Sequence, residues 1–381
     1  MSIVAVLGSG VMATALSVPL TDNGHEVRLI GTHLDRTIIE EIQATGVHPG
    51  LGLRVPRSVR AWQLEDAPAA FDGAEVVLSG VNSFGVRWAG RRLAELLRPG
   101  MLVISIAKGL ESTEEGDLRI LPDVLAEEVP PQLRSAVSWS AVAGPSIAGE
   151  VASRRPTCVL FVGREQEALD RLAALFRTGF YHVWTSTDIV GGEVCAAMKN
   201  CYALSVGFAE GELNRMGPGN CSYRSHNYEA ALFGQGSVEI AHMLRILGGR
   251  PETQLGLAGM GDMYVTSTGG RNVRAGRLIG SGLRFSEAHE RLGSITLEGA
   301  FAIEVVGRAL PKLTERGIIR PADFPLMRHL YEVIRKDQPL QVPWDAMFGG
   351  EPTGELKRAR GATANRPSAE RAASDPGTVA G

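Results

Sequence analysis

The sequence predicts an α/β protein with a doubly wound sheet in its N-terminal part, followed by an all-helical C-terminal domain. Short apolar runs rich in β-branched residues recur through the first half, separated by amphipathic or turn-rich stretches. A glycine-rich turn directly follows the first run, and after about Thr187 strand-like runs give way to helical periodicity. Those are the observations behind the fold class.

In order, the expected strands are residues 3–7, 27–30, 75–78, 102–106, 137–142 and 157–162. Their apolar runs are continuous rather than alternating, as expected where helices bury both faces of a parallel sheet. Between them, 34–44 and 87–97 carry helical periodicity, and strand–helix alternation points to a doubly wound domain over residues 1–187. Proline at position 19 should end or kink the first helix. Residues 191–212, 228–247, 286–292 and 298–316 read as helices of a second domain spanning 188–348. The remaining 349–381 is Ala, Gly, Pro, Ser and Arg with few apolar side chains, and is expected to be a disordered tail.

Lys plus Arg number 39 against 42 Asp plus Glu, a formal charge of −3, so the broad positive field of a non-specific nucleic-acid binder is absent. With 44% hydrophobic and 21% charged residues, the composition is that of a chain able to bury a large core. Glycine is in surplus: 46 of 381 residues, where about 7% is usual. The cysteines Cys158, Cys195, Cys201 and Cys221 form no C-x-x-C pair and have no histidine at zinc spacing, so they read as reduced thiols with no metal site. The first 21 residues carry no charged side chain. No Lys or Arg precedes Ala13-Thr14-Ala15, and Gly8 and Gly10 break the segment, so it does not read as a signal peptide. No other uncharged run approaches a membrane span. The expectation is a cytoplasmic protein with no nucleic-acid or membrane partner.

Gly8-Ser9-Gly10-Val11-Met12-Ala13 follows the first strand and opens the first helix. Gly8 permits the turn, Gly10 lets backbone approach a pyrophosphate, and Ala13 allows close helix–strand packing. The helix N-terminus then faces the phosphates with N–H groups and partial positive charge. Gly8, Ser9, Gly10, Val11 and Met12 are therefore candidate dinucleotide-binding residues. After the second strand, an acidic residue would bind the adenosine ribose 2′-hydroxyl. This chain has Ile30-Gly31-Thr32-His33, with Asp35 late and Arg36 beyond. Thr32, His33 and Arg36 could help bind a 2′-phosphate, which favours NADP or use of both NADP and NAD.

Three charges stand in unexpected places. Lys108 ends an apolar strand, where an open α/β sheet binds ligands. Lys199 is the only Lys or Arg between Arg177 and Arg215, and burial would suit it to proton transfer near neutral pH. Asp262 is the only acid between Glu252 and Glu287, in a glycine-rich apolar segment, a helix cap or a partner for a buried cation. Further on, Gly269-Gly270-Arg271-Asn272 offers a phosphate or carboxylate clamp.

With Gly8-Ser9-Gly10, Ala107-Lys108-Gly109-Leu110-Glu111, Ala143-Gly144-Pro145-Ser146, Met198-Lys199-Asn200, Asn227-Tyr228-Glu229-Ala230-Ala231-Leu232, Gly269-Gly270-Arg271-Asn272 and Glu298-Gly299 in this order, the chain resembles the NAD(P)-dependent glycerol-3-phosphate dehydrogenase family. The resemblance runs from residue 3 to about 300. It implies a Rossmann-type domain followed by a helical domain, reduction of dihydroxyacetone phosphate with NAD or NADP, a role in phospholipid biosynthesis, and a homodimer. It also implies that Lys199 is the proton donor and that Lys108 orients the substrate. Asp262, Asn200 and Thr266 would hold Lys199 and the reacting oxygen; Arg271 and Asn272 would hold the phosphate; Arg271 and Glu298 would lie near the cofactor.

Some positions depart from the family pattern. Ala13 stands for the third glycine, Met12 for an aromatic residue, Thr32 for an arginine and Glu229 for a lysine. Residues 213–226, with Asn214, Arg215, Tyr223, Arg224 and His226, replace a short glycine-rich connection. These leave open a relative acting on another phosphorylated polyol or ketone or on a hydroxy acid. A non-catalytic dinucleotide sensor would have no need for both Lys108 and Lys199.

Overall fold

The computed structural model describes residues 1–217, 225–293 and 295–349. The expected tail beyond Gly349, together with Cys221, Tyr223 and Arg224, lies outside the described residues. Residues Met1–Val342 form one compact unit and Pro343–Gly381 a second, of which the helix Trp344–Phe348 is described.

Eight strands make the main sheet: Ile3–Leu7 (β1), Glu26–Ile30 (β2), Arg60–Trp62 (β3), Val76–Ser79 (β4), Leu102–Ser105 (β5), Ser138–Ala143 (β6), Thr157–Gly163 (β7) and Tyr181–Ser186 (β8). Their order is β8-β7-β6-β5-β4-β1-β2-β3. β1 pairs in parallel with β2 on one side and β4 on the other, so the strand order reverses at β1. In an open α/β sheet that reversal opens a crevice at the carboxyl ends of the strands. The helices Val11–Asp22 (α1), Arg36–Thr45 (α2), Val86–Leu96 (α3) and Gln166–Phe176 (α4) follow β1, β2, β4 and β7 in the chain.

The expectation of a wholly parallel sheet is corrected at one place: β6 and β7 pair antiparallel. A continuous apolar run reports burial on both faces, and strands of either direction satisfy it. β3 is a three-residue edge strand, and β8 alternates, with Tyr181 and Val183 inward and His182 and Trp184 outward. Neither has the continuous apolar run that marked the others. Proline 19 does not end α1, which runs on to Asp22. It falls in the last turn, where one backbone bond is forgone, and residues Ala13–Leu20 are buried, so packing rather than propensity carries the helix.

The helical part is built around Ile189–Met216 (α5), 28 residues long and buried over most of its length. Around it lie His226–Leu247 (α6), Asp262–Ser267 (α7), Arg271–Gly280 (α8), Glu298–Glu315 (α9) and Pro325–Arg335 (α10). Glycines bring α5 and α8 into backbone contact. A Cβ on Gly276 would lie 1.9 Å from the Leu204 carbonyl oxygen, and one on Gly211 would lie 2.1 Å from that of Arg277. Part of the glycine surplus is thus helix packing. Glu239 of α6 is buried, accepts from Tyr202 at 2.8 Å, and caps α10 by accepting from Leu326 N at 2.8 Å and Met327 N at 2.9 Å.

Candidate active site

The glycine turn lies at the reversal in strand order. Gly8 has φ +108°, which disfavours a side chain, and a Cβ there would come within 3.0 Å of the Gly80 carbonyl carbon. Gly80, one residue past β4, has no room for a Cβ because Ala13 would stand 2.5 Å from it. This is the close packing that a small residue at position 13 permits. A Cβ at Gly10 would meet only Gly80 O, at 3.8 Å, so a side chain there would project into open space. Gly10 lines a cavity of about 1160 Å³ together with Gly8, Val11 and Met12. A cradle of glycine backbone ahead of a helix N-terminus fits a dinucleotide pyrophosphate.

Of the other sequence-predicted cofactor residues, Thr32, His33, Arg271 and Glu298 line this cavity. Ser9 is fully buried in the turn, and Arg36 lies outside the lining, paired with Glu65. Asp35, which looked too late in the sequence, folds back into the cavity wall. Its Oδ2 accepts from Ser9 N at 3.2 Å and Thr32 N at 2.9 Å. Trp88 of α3 also lines the cavity, with its ring 5.1 Å from that of His33. Sequence reasoning missed both; the available signal was an aspartate just before α2 and a tryptophan at a helix start.

Three separate segments bring the charged residues together. Lys108 follows β5, Lys199 projects from α5, and Asp262 begins α7. Just before Asp262, residues Leu257–Gly261 form one π-helical turn, a form that recurs at functional sites. Gly259 allows it: a Cβ there would sit 2.2 Å from Gln254 O. The Asp262 carboxylate is shared. Oδ1 accepts from Lys199 Nζ, and Oδ2 accepts from Lys108 Nζ at 2.8 Å. Lys199 Nζ also donates to Thr266 Oγ1 at 2.9 Å, and Lys108 Nζ to Gly144 O at 3.2 Å. The Thr266 hydroxyl in turn donates to Asp262 O at 2.7 Å.

Side-chain exposure is 7% for Lys199, 2% for Asp262 and 23% for Lys108. Burial lowers the Lys199 ammonium to about 7, helped by the charge of Lys108 and opposed by Asp262. The chain thus holds an amine near its half-protonation point at neutral pH. Glu193, also on α5, is fully buried, and burial raises its carboxyl to about 8 against the pull of Lys108.

Asn200, next to Lys199, accepts from Asn272 Nδ2 at 3.3 Å, and Asn272 Oδ1 accepts from Gly299 N at 3.1 Å. Gly270, with φ +102°, turns the chain into α8, and Arg271 at its start pairs with Glu298 at 2.6 Å. Lys108, Lys199, Asn200, Asp262, Thr266 and Asn272 all line the same cavity. The reversed charge at Glu229 lies elsewhere: it pairs with His226 at 3.1 Å and is outside the lining.

Among the described residues, Cys158, Cys195 and Cys201 are free thiols. No group of His, Cys, Asp and Glu among them could hold a metal ion, and no helix is long and apolar enough to cross a membrane.

This arrangement has relatives. The N-terminal model of NAD-dependent glycerol-3-phosphate dehydrogenase matches residues 3–169, and the C-terminal model matches 188–344. An NADP(+)-dependent glycerol-3-phosphate dehydrogenase of Archaeoglobus fulgidus is 34% identical over 335 residues, covering 87% of this chain and 95% of its own. A glycerol-3-phosphate dehydrogenase [NAD(P)+] of an Exiguobacterium species is 33% identical, covering 88% and 91%. The crystal structure of glycerol-3-phosphate dehydrogenase from Coxiella burnetii superposes with a TM-score of 0.72 at 27% identity, covering 91% of this chain and 97% of that one. The glycine turn, the lysine pair and Arg271-Asn272 thus sit in a chain matched along both of its parts, and the chain belongs to the NAD-dependent glycerol-3-phosphate dehydrogenase family.

Proposed function

We propose that this protein reduces dihydroxyacetone phosphate to sn-glycerol 3-phosphate with NAD(P)H, and catalyses the reverse reaction. One observation carries the reading: a buried carboxylate shared by two lysines in the wall of the cavity into which the glycine turn faces. When bound, NAD(P)H supplies the hydride for the carbonyl carbon. Lys199 gives its Nζ proton to the carbonyl oxygen as negative charge builds there, and is reprotonated from solvent. Its value of about 7 matches proton transfer at neutral pH. Asp262 and Thr266 hold the Lys199 side chain, while Asn200 helps hold the reacting oxygen. Lys108 orients the substrate and stabilises the developing alkoxide electrostatically. Arg271 and Asn272 hold the phosphate, and Glu298 beside Arg271 lies toward the cofactor.

Both cofactors suit the adenosine end. Thr32 and His33 line it, and Oδ2 of Asp35 is already committed to two backbone N–H groups. We divide the chain into a dinucleotide domain to residue 187 and a catalytic domain from 188 to 348. The end of β8 at Ser186 and the start of α5 at Ile189 support that division. Likeness to the family supports a cytoplasmic homodimer that supplies glycerol 3-phosphate for phospholipid synthesis. Absorbance of the reduced nicotinamide, followed with NADPH and NADH separately, tests the activity. Dihydroxyacetone phosphate should drive oxidation, and unphosphorylated dihydroxyacetone should drive far less. Equal rates with the two ketones would remove the phosphate clamp from the reading.

A further inference from the structure

The chain between Gly46 and Val55 lies outside the chemistry above, yet it holds a buried histidine against the glycine turn. His48 is 1% exposed, in a short antiparallel pair formed by Val47–His48 and Leu53–Arg54. Its Nδ1 accepts from Gly50 N at 3.0 Å and Leu51 N at 3.1 Å. Facing two donors, Nδ1 must be the acceptor, so Nε2 carries the proton and donates to Ser9 O at 2.7 Å. Thr14 Oγ1 donates to the same carbonyl at 3.2 Å, while the Ser9 N–H goes to Asp35 at 3.2 Å. Both backbone polar groups of Ser9 are therefore gripped by side chains from other parts of the chain. The grip is close-packed, since a Cβ on Gly50 would lie 3.0 Å from Val11 Cγ1.

The Ser9–Gly10 peptide is trans, so its C=O and N–H point in opposite directions. Drawing Ser9 O toward His48 turns the Gly10 N–H away from His48, and Gly10 lines the cavity. A Gly-Ser-Gly turn has wide conformational freedom and would otherwise sample other peptide orientations. We propose that His48 is a positioning residue for the cofactor: by holding the Ser9 carbonyl, with Asp35 holding the Ser9 N–H, it presets the Gly10 amide for the dinucleotide pyrophosphate. Preorganisation of this kind strengthens binding by reducing what must be ordered when the ligand arrives. The inference rests on the dinucleotide reading of the cavity, and not on the identity of the ketone.

Two substitutions separate the ring's two bonds. In His48→Asn the amide reaches the Nδ1 position and can still accept from Gly50 and Leu51, but it leaves Ser9 O without this donor. In His48→Gln an N–H is kept near the Nε2 position. Dissociation constants for NADPH and NADH come from fluorescence titration of the intact protein. His48→Asn should weaken the tighter-bound of the two by about tenfold, and His48→Gln should stay within about threefold of wild type. In turnover, KM for the cofactor should rise in His48→Asn, with KM for dihydroxyacetone phosphate unchanged at saturating cofactor. A folded His48→Asn that binds as tightly as wild type overturns the proposal. So does a folded His48→Gln weakened by about tenfold or more, whether or not His48→Asn folds. If wild type binds NADPH but does not turn over dihydroxyacetone phosphate, the substrate assignment fails while the titration still decides the role of His48.

Discussion

Lys199 and Glu193 sit on one helix, and burial moves both toward their neutral forms, with different consequences. Lys199 at about 7 must be protonated to reduce a ketone. The rate of reduction should therefore fall as pH rises through about 7, and the rate of alcohol oxidation should rise over the same interval. Asp262 raises Lys199, so Asp262→Asn should move the inflection to lower pH and cut turnover by roughly 10²-fold or more. A profile that stays put in that variant would show that the inflection belongs to another group. Glu193, at about 8, stays protonated in the fold over a range where the unfolded chain, near 4.5, has lost its proton. The folded state then binds more protons, so this group's contribution to stability falls between pH 4.5 and 8 and levels off above. Glu193→Gln should gain stability relative to wild type across that window, read as a growing difference in denaturant midpoint. A difference independent of pH would mean that Glu193 is ionised in the fold. At this scale the sequence was informative because charge is rare in apolar segments: Lys199 and Asp262 stood out by isolation alone. Asp35 and His48 did not, since the contact that ties each to the glycine turn is with the backbone of Ser9, remote in sequence, and no spacing rule reports such contacts.

Among the elements, the strands buried on both faces were legible from their apolar runs, whereas β3 and β8 were not. The direction of β7 was also hidden, because burial pattern does not encode it. Of the C-terminal helices, α5, α6, α9 and the short Phe285–Arg291 were legible from periodicity, whereas α10 was not. Short α7 and α8 sit in the glycine-rich segment, where periodicity marks no helix. There glycine serves two ends: Gly259 and Gly270 shape turns that aim Asp262 and Arg271, while Gly276 and Gly280 let α8 lie against α5. Gly276→Ala would force a methyl to within 1.9 Å of Leu204 O. Overpacking of this kind costs about 1–3 kcal/mol, and here the obstacle is backbone that cannot rotate aside. The variant should unfold at a clearly lower temperature than wild type. A melting temperature unchanged by Gly276→Ala would mean that the helices separate easily and that their contact is not what holds Asn272 beside Asn200.

At the scale of the whole molecule, the reacting groups come from distant stretches of chain. Lys108 belongs to the sheet part and Lys199 and Asp262 to the helices, yet one carboxylate binds both lysines. Phe84, in the turn after β4, and Phe301 of α9 also meet, with ring centroids 4.7 Å apart. Residues 1–342 pack as one compact unit. No local pattern could have announced this convergence. The order of motifs along the chain pointed to it only through resemblance to a family. The measurement that bears most directly on the central claim is turnover of Lys199→Met with dihydroxyacetone phosphate, paired with titration of its NADPH affinity. Affinity should stay within about tenfold of wild type while kcat falls by about 10²–10⁴-fold, the usual contribution of a positioned general acid. A folded Lys199→Met enzyme with near-normal kcat would contradict the assignment of the proton to Lys199.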